Sequence, residues 1–155
     1  MKKNGRDQDS IFYLPNEYYT KLIKKDGLTV LIAVFDTTPM VQSYYTSKKV
    51  NESALELASN VTKQLEEMQN QIDELSSKNT IDWKIAVGHH PIKSAGKNGN
   101  NDDIGNTLEP MLVKNGFFVY MSGHDHNMQY LNGFHCLSSG QCMNQSKYNI
   151  INYRS

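Results

Sequence analysis

The sequence has no long hydrophobic run and no excess of charge of either sign. Its longest apolar stretch, around residues 30–35, is far shorter than the roughly 18 residues that a membrane-spanning helix requires. Sixteen Lys and Arg residues balance sixteen Asp and Glu residues, whereas nonspecific nucleic-acid binding usually requires a broad positive surface. We therefore expect no membrane span in this chain and no nucleic-acid partner.

Cysteine is scarce. Cys136 and Cys142 are too few for a disulfide framework, and they are not spaced like the paired ligands of a zinc site. In an oxidising compartment the two could pair across their short loop, and the sequence leaves this open. We interpret them as ordinary small residues.

We also expect no hydrophobic secretion signal within these 155 residues, because no apolar segment follows the charged residues at their start. Three Asn-x-Ser/Thr patterns begin at Asn51, Asn60 and Asn144, and they would carry glycans only in the secretory pathway. A chain rich in Asn and Ser produces such patterns by chance. These features alone leave the compartment open.

The first part of the chain predicts a hairpin in one globular unit. A chain of 155 residues, of which 38% are hydrophobic, can bury one core of ordinary size. Asp26-Gly27 lies between two apolar-rich runs, and both residues tolerate positive φ, so we predict a β-hairpin over residues 18–35. Thr37-Thr38-Pro39 then ends the second strand and begins a surface loop that reaches Lys49.

The next segments predict alternating helices and strands. Apolar residues recur at spacings of three and four over residues 53–77, which predicts a helix with one core-facing side. Trp83-Lys84-Ile85-Ala86-Val87 predicts a strand that ends at Gly88. Residues 93–105 are rich in Gly and Asn and predict a loop without apolar anchors.

A second helix and strand are predicted further along. Residues 108–112 predict a short helix that ends at Asn115-Gly116, and residues 117–121 predict another strand. Beyond Leu131 the alternation is too weak to assign, apart from one candidate strand at residues 135–138.

Histidines follow both of these strands. Gly88-His89-His90-Pro91 comes after the first, and Gly123-His124-Asp125-His126 comes after the second. The order helix, strand, helix, strand is typical of an α/β sheet, in which functional residues gather at the carboxyl ends of the strands. We therefore expect the two histidine segments to meet at one edge of a sheet.

The pair His124 and His126 is typical of metal ligands when a second histidine element accompanies it. In extended backbone both side chains would project from one face, with attachment points roughly 7 Å apart. That spread fits two neighbouring ions about 3.5–4 Å apart better than a single shared ion. A lone His-x-His pattern is weak, because solvated or structural histidines produce it as well.

These segments also carry a resemblance to a known family. Residues 82–91 and 120–130 resemble the last two motifs of purple, or tartrate-resistant, acid phosphatases, which are calcineurin-like metallophosphoesterases. Tyr13-Leu14-Pro15-Asn16-Glu17-Tyr18-Tyr19 and Phe35-Asp36-Thr37 resemble earlier segments of that family, in the same order. The likeness extends over most residues from Phe12 to about Tyr130.

The resemblance implies a fold and an activity. The fold would be α/β, the C-terminal half of a four-layer αββα metallophosphatase sandwich with a mixed sheet and flanking helices. It would occupy residues 11–155 as a partial calcineurin-like domain, after a polar segment at residues 1–10. The activity would be that of an acid phosphatase that hydrolyses phosphate monoesters at a dinuclear metal centre. A secretory, lysosomal, vacuolar or extracellular location is also suggested.

The resemblance further implies a ligand set. His89 and His124 match the ligands of the second metal, and His126 matches a ligand of the first. The pair would be iron with iron, zinc or manganese. His90 and Asp125 occupy variable positions, and they would line the site or orient the ligands rather than bind metal.

Several parts of the family pattern are missing from the sequence. We find neither the Gly-Asp-x-x-Tyr block nor the Gly-Asn-His block, nor the Asp that follows the first strand, so three ligands of seven remain. The bridging carboxylate, which offsets the repulsion between two cations, is among those missing. Residues 92–105 contain no histidine to protonate a leaving group, and Lys97 and Asn98 are among the polar alternatives.

We therefore expect a partial domain that lacks its N-terminal half and is inactive alone. The alternative is a non-catalytic, phosphatase-like interaction or scaffold protein.

Overall fold

The computed structural model describes residues 14–46, 54–126, 128–133 and 148–152. They form one mixed six-stranded sheet in the order β1-β2-β3-β4-β6-β5, in which β1 and β5 are antiparallel edge strands. The strands are β1 (Tyr19–Lys25), β2 (Leu28–Val34), β3 (Trp83–Val87), β4 (Val119–Ser122), β5 (Gln129–Gly133) and β6 (Tyr148–Asn152). The helices are a 3-10 turn (Thr38–Met40), α1 (Ser43–Thr46), α2 (Ala54–Lys78) and α3 (Asp102–Lys114). The predicted mixed α/β fold is confirmed.

Strands β1 and β2 form the predicted hairpin. Asp26 and Gly27 have φ angles of 52° and 81°, which is the left-handed pair that a tight two-residue turn requires. Lys25 lies opposite Leu28 in the register, so the turn contains no further residue. The Asp-Gly pair therefore fixes the register of the first two strands.

One face of the sheet packs against α2 and α3. Leu31, Ala33, Ala86 and Tyr120 point to this face and are fully buried. The helices bury five apolar side chains against them, which are Met68, Ile72, Ile104, Leu108 and Leu112. The apolar side predicted for the helix at residues 53–77 therefore faces the core, because nonpolar area is removed from water there.

The opposite face of the sheet is apolar but stays partly open. Val30, Ile32 and Val34 alternate with the buried residues of β2 and are only half-buried. Trp83 and Met121, on the neighbouring strands, are 43% and 36% exposed. An apolar sheet face of this kind is typical of a layer that packs against another layer.

Helix α3 is longer than the sequence pattern indicated, and the prediction of a loop over residues 93–105 without apolar anchors is wrong at its end. The helix begins at Asp102, because the side chain of Asn101 accepts a hydrogen bond from the Ile104 N–H at 3.1 Å and caps the first turn. Ile104 is fully buried and anchors that turn in the core. The predicted end at Asn115-Gly116 is confirmed, with a φ of 67° at Gly116.

Two other segments also differ from the sequence prediction. The surface loop predicted between residues 37 and 49 contains the 3-10 turn and α1, and it buries Met40 and Val41. After Leu131 the sequence pattern assigned nothing firmly, yet β5 and β6 extend the sheet, and β6 pairs with β4 in parallel.

Some predictions fall outside the described residues, namely the segment at 1–10, the candidate strand at 135–138, Cys136 with Cys142, and the glycosylation patterns at Asn51 and Asn144. Asn60, the remaining pattern, lies exposed on α2. Within the described ranges, no helix has the length and apolar character needed to cross a bilayer.

Candidate metal site

Two loops meet at the carboxyl edge of the sheet, where β3 and β4 lie side by side. The N–H of Gly88 donates to the carbonyl oxygen of Met121 at 3.0 Å, and the N–H of Gly123 donates to that of His89 at 3.0 Å. These bonds continue the pairing of the strands into the loops. The predicted meeting of the two histidine segments at one sheet edge is therefore confirmed.

His89 and His124 are brought into direct contact. Nε2 of His89 lies 3.2 Å from Nδ1 of His124, and the two rings are nearly perpendicular, at 84°. Two nitrogens that each bind one tetrahedral ion at about 2.1 Å would lie roughly 3.4 Å apart. The observed separation thus fits two ligands of a single ion.

The protonation state of His89 near pH 7 also suits a metal ligand. Burial, together with the nearby charges of His124 and His126, lowers its pKa from the ordinary value. The ring is therefore neutral near pH 7 and keeps a lone pair for a metal ion.

His90 lies beside this pair but is held by hydroxyl groups. Its Nδ1 is 2.9 Å from Oγ1 of Thr37, and its Nε2 is 2.8 Å from the hydroxyl of Tyr44. The residue is buried, and burial lowers its pKa to about 4, with further contributions from His89 and His124. Ligand nitrogens of His89, His90 and His124 lie within 4.8 Å of one another, but both nitrogens of His90 already have partners. This arrangement suits a residue that lines the site.

The segment that carries Thr37 is itself fixed by α2. Gln64, which is buried in α2, accepts a hydrogen bond from the N–H of Asp36 and donates one to its carbonyl oxygen, both at 3.0 Å. Oγ1 of Thr37 also accepts a bond from the N–H of His90 at 3.1 Å. The helix therefore positions His90 through the short segment after β2.

Close packing below the histidines explains the glycine at residue 88. The hydroxyl of Tyr120 donates to the carbonyl oxygen of His90 at 2.6 Å. A Cβ atom at residue 88 would clash with that hydroxyl and would approach Cγ2 of Thr37 to 2.7 Å. Only glycine leaves room for this contact.

The loop after β4 is not extended, so the prediction that His124 and His126 project from one face of an extended segment is wrong. Their φ angles are 70° and 48°, in the left-handed region. The N–H of Asp125 donates to the carbonyl oxygen of Gly123 at 2.9 Å, which makes His124 the central residue of a γ-turn. His126 is exposed and lies outside the cluster of His89, His90 and His124. Strained backbone of this kind is often found at functional sites.

Asp125 points to the loop that follows the first histidine segment. It accepts a hydrogen bond from Ser94 and two bonds from Asn98, at 2.6 Å from the side-chain amide and 3.3 Å from the main-chain N–H. Partial burial opposes ionisation of this carboxyl, but the bonds from Ser94 and Asn98 outweigh it and hold the pKa below its ordinary value. Asp125 therefore ties two loops together.

Local sequence patterns do not indicate most of the residues that support the histidines, which are Thr37, Tyr44, Gln64, Ser94 and Tyr120. Their partners lie 28 to 53 residues away along the chain, so no local pattern reports them. Thr37 is the exception, because the sequence segment Phe35-Asp36-Thr37 is part of the family resemblance.

Known proteins resemble this chain in both sequence and fold. Residues 6–128 match the calcineurin-like phosphoesterase family. Purple acid phosphatase 17 of Arabidopsis thaliana is 31% identical over 106 residues, which is 68% of this chain and 31% of the relative. Rabbit (Oryctolagus cuniculus) tartrate-resistant acid phosphatase type 5 is 42% identical over 50 residues, or 32% of this chain and 15% of that protein.

One solved structure resembles the fold. It is GAP50, described as the anchor in the inner membrane complex of Plasmodium, with a TM-score of 0.60 and 20% identity over 90% of this chain and 38% of that one. The chain thus spans only about a third of the length of such relatives. The resemblance to purple acid phosphatases is confirmed, and the chain belongs to the calcineurin-like phosphoesterase family.

Proposed function

We propose that this chain is the C-terminal, metal-binding half of an acid phosphatase of the purple acid phosphatase type. The full domain would hydrolyse phosphate monoesters at a pair of metal ions. His89 and His124 would bind one ion, and His126 would contribute to the other. Iron paired with iron, zinc or manganese is the metal content that the resemblance implies.

The separation of 3.2 Å between Nε2 of His89 and Nδ1 of His124 carries the proposal. It fits two ligands of one tetrahedral ion, and imidazole nitrogen is a common ligand of borderline transition metals. The exposed position of His126, outside the three-histidine cluster, suits a ligand of a neighbouring ion.

The residues around the histidines would hold and orient the ligands during the reaction. When bound, the metal pair would supply positive charge for the phosphate and for the attacking and leaving oxygens. Tyr120 fixes the main-chain carbonyl oxygen of His90, and Thr37 and Tyr44 hold the imidazole ring of His90. The residue next to His89 is therefore held in one position. Such preorganisation lowers the cost of reaching the reactive geometry.

The chain alone should bind fewer than two ions and hydrolyse little or no ester. Only three of the seven ligands expected for the family occur in the sequence, and the bridging carboxylate is not among them. Neutral imidazoles cannot offset the repulsion between two cations that lie a few ångströms apart.

The metal site can be tested by titrating the purified, chelator-treated chain with Co²⁺ and following its visible absorption. We expect His89→Ala and His124→Ala each to weaken binding by more than the roughly 10- to 100-fold that is typical of residues that only orient a ligand. His126→Ala is the matched control and should leave the ion held by His89 and His124 nearly unaffected. Equal losses in all three variants, or no Co²⁺ binding by the wild type, would contradict the assignment.

The phosphate ligand needs a separate measurement. Inorganic phosphate should show line broadening in its ³¹P spectrum with the Co²⁺-loaded chain, but not with the metal-free chain or with His124→Ala. Hydrolysis of p-nitrophenyl phosphate, measured beside elemental analysis, should be close to background. Rapid turnover by the chain alone would overturn the claim that its site is incomplete.

A non-catalytic, phosphatase-like scaffold is the second candidate. The absence of the family's carboxylate and tyrosine ligand motifs favours it. GAP50, which is described as an anchor, shares the fold, but at 20% identity it supports the fold alone. A scaffold that does not use the histidine site would bind neither Co²⁺ nor phosphate in the measurements above.

A further inference from the structure

The carboxylate of Asp125 links the loop after β4 to the loop at residues 93–100. It accepts hydrogen bonds from the hydroxyl of Ser94 and from both the main-chain N–H and the side-chain amide of Asn98. All of these partners donate hydrogen bonds to Asp125. An ionised carboxylate suits them, because its two oxygens can accept bonds from several donors at once. The contact therefore joins segments that lie about thirty residues apart in the chain.

Ser94 is fixed from other directions as well. Its hydroxyl oxygen accepts bonds from the N–H of Gly96 at 2.9 Å and from the side chain of Gln129 at 3.2 Å. Gln129, at the start of β5, also accepts a bond from the N–H of Ala95 at 2.8 Å. The loop at residues 93–100 is consequently anchored to the sheet, and Asp125 is attached to a fixed support.

The residues on both sides of Asp125 need such a support. His124 and His126 have positive φ angles of 70° and 48°, which non-glycine residues adopt at a cost in free energy. A strained backbone persists only when surrounding contacts hold it. The bonds of Asp125 are contacts that leave the loop itself, and the N–H of Gly123 adds another, to the carbonyl oxygen of His89.

We infer that Asp125 is a positioning residue for the metal site, since its bonds to Ser94 and Asn98 hold the γ-turn that places His124 against His89. This inference rests on the proposed metal site. It assigns Asp125 no contact with metal or substrate. The loop at residues 93–100 acquires a role as well, because it supports the second histidine segment from the side.

The test compares the Co²⁺ affinity of the full chain with those of Asp125→Ala and of Ser94→Ala/Asn98→Ala. Removing the carboxylate should weaken binding by about 10- to 100-fold, the usual effect of losing a group that orients a ligand. The double variant should show most of this loss, and adding Asp125→Ala to it should cost little more. Asp73→Ala, which removes an exposed carboxylate on α2, is the matched control and should bind Co²⁺ like the wild type.

The double-mutant cycle distinguishes positioning from other roles. If Asp125 acted through its charge or as a ligand, its replacement would cost as much in the Ser94→Ala/Asn98→Ala background as in the wild type. Additive losses would therefore overturn the inference, and so would an unchanged affinity in Asp125→Ala. In that last case the effects of His89→Ala and His124→Ala would still support the metal site.

Amide hydrogen exchange of the metal-free chain gives a second, independent measurement. Asp125→Ala should speed exchange at the amides of Gly123 and Asp125, which donate to His89 and Gly123, while the amides of β3 stay protected. If the wild type binds no Co²⁺, the proposed metal site fails, and this measurement then decides only whether Asp125 holds the γ-turn at His124. Unchanged exchange at Gly123 would then overturn the inference.

Discussion

Tyr120 and His90 are joined by a buried hydrogen bond of 2.6 Å from the phenol to the main-chain carbonyl oxygen. Tyr120 belongs to β4 and is fully buried, whereas His90 lies in the loop after β3. Burial raises the pKa of the Tyr120 hydroxyl above its ordinary value, so the hydroxyl is protonated and can donate near neutral pH. The core thus fixes the backbone beside His89.

Replacing Tyr120 with Phe should destabilise the chain without creating a cavity. The carbonyl oxygen of His90 would lose this buried donor, which costs about 1–3 kcal/mol of unfolding free energy. Urea denaturation measures the change. Tyr130→Phe is the control, because Tyr130 is 64% exposed and water can replace lost bonds there. Equal stability of the two variants would contradict the role of the Tyr120 hydroxyl.

The same substitution at two glycines should have opposite effects. Gly88→Ala places a methyl group against Tyr120 and Thr37, and overpacking of this kind costs about 1–3 kcal/mol. Gly105→Ala lies inside α3, where the nearest side-chain atom would be 3.6 Å away, and alanine favours a helix by about 0.5–1 kcal/mol. Urea denaturation should therefore show a lower free energy of unfolding for Gly88→Ala than for the wild type, and a higher one for Gly105→Ala. A stabilised Gly88→Ala variant would show that the loop repacks freely.

Stability should fall in mild acid because His90 is buried in its neutral form. Its folded-state pKa of about 4 lies below the unfolded value of about 6.5. Between these values the unfolded chain binds the extra proton, so the contribution of His90 is fully present above about pH 6.5 and is lost as the pH falls towards 4. Urea denaturation of the metal-free chain at several pH values should show this loss.

His90→Gln is the control for that measurement, because an amide does not titrate in this pH range. The variant keeps all the carboxyl groups of the chain, so their contribution to the pH dependence is unchanged. The variant should be less stable at pH 7 and should depend less on pH between 6.5 and 4. Parallel pH profiles for the two proteins would exclude His90 as the cause.

Metal binding should raise thermal stability through the two contacting histidines. A ligand that binds only the folded state stabilises it by about 2.7 kcal/mol at a hundred times its dissociation constant. Zn²⁺ should therefore raise the Tm of the chelator-treated chain, and excess chelator should reverse the rise. His124→Ala should abolish this shift, and His126→Ala should retain most of it. A shift that survives in His124→Ala would locate the ion elsewhere.

The sequence predicted the parts of the fold that local chemistry decides. The Asp26-Gly27 turn, the amphipathic face of α2 and the strand at Trp83–Val87 were all confirmed, because turn propensity and apolar periodicity act over a few residues. The start of α3 was missed, since its Asn101 cap and the burial of Ile104 were hidden within a polar segment.

The sequence predicted which histidines form the candidate site, but it did not predict the backbone conformation that places them. The Gly-His elements and the family resemblance pointed to His89 and His124, which the structure brings to 3.2 Å. Alternation along an extended strand gave the wrong geometry for His124 and His126, because tertiary hydrogen bonds hold them at positive φ. The assignment of His126 to the first metal of the pair, apart from the ion held by His89 and His124, stays a prediction.

The open apolar face of the sheet and the histidine edge point in different directions. Tyr120 and Gly88 order the edge from the helix side, and Met121 of the open face contributes its main-chain carbonyl oxygen, which accepts the bond from the N–H of Gly88. None of these contacts uses a side chain of the open face, so those side chains can be replaced while the contacts stay in place. The two faces of the sheet are therefore separate targets for protein engineering.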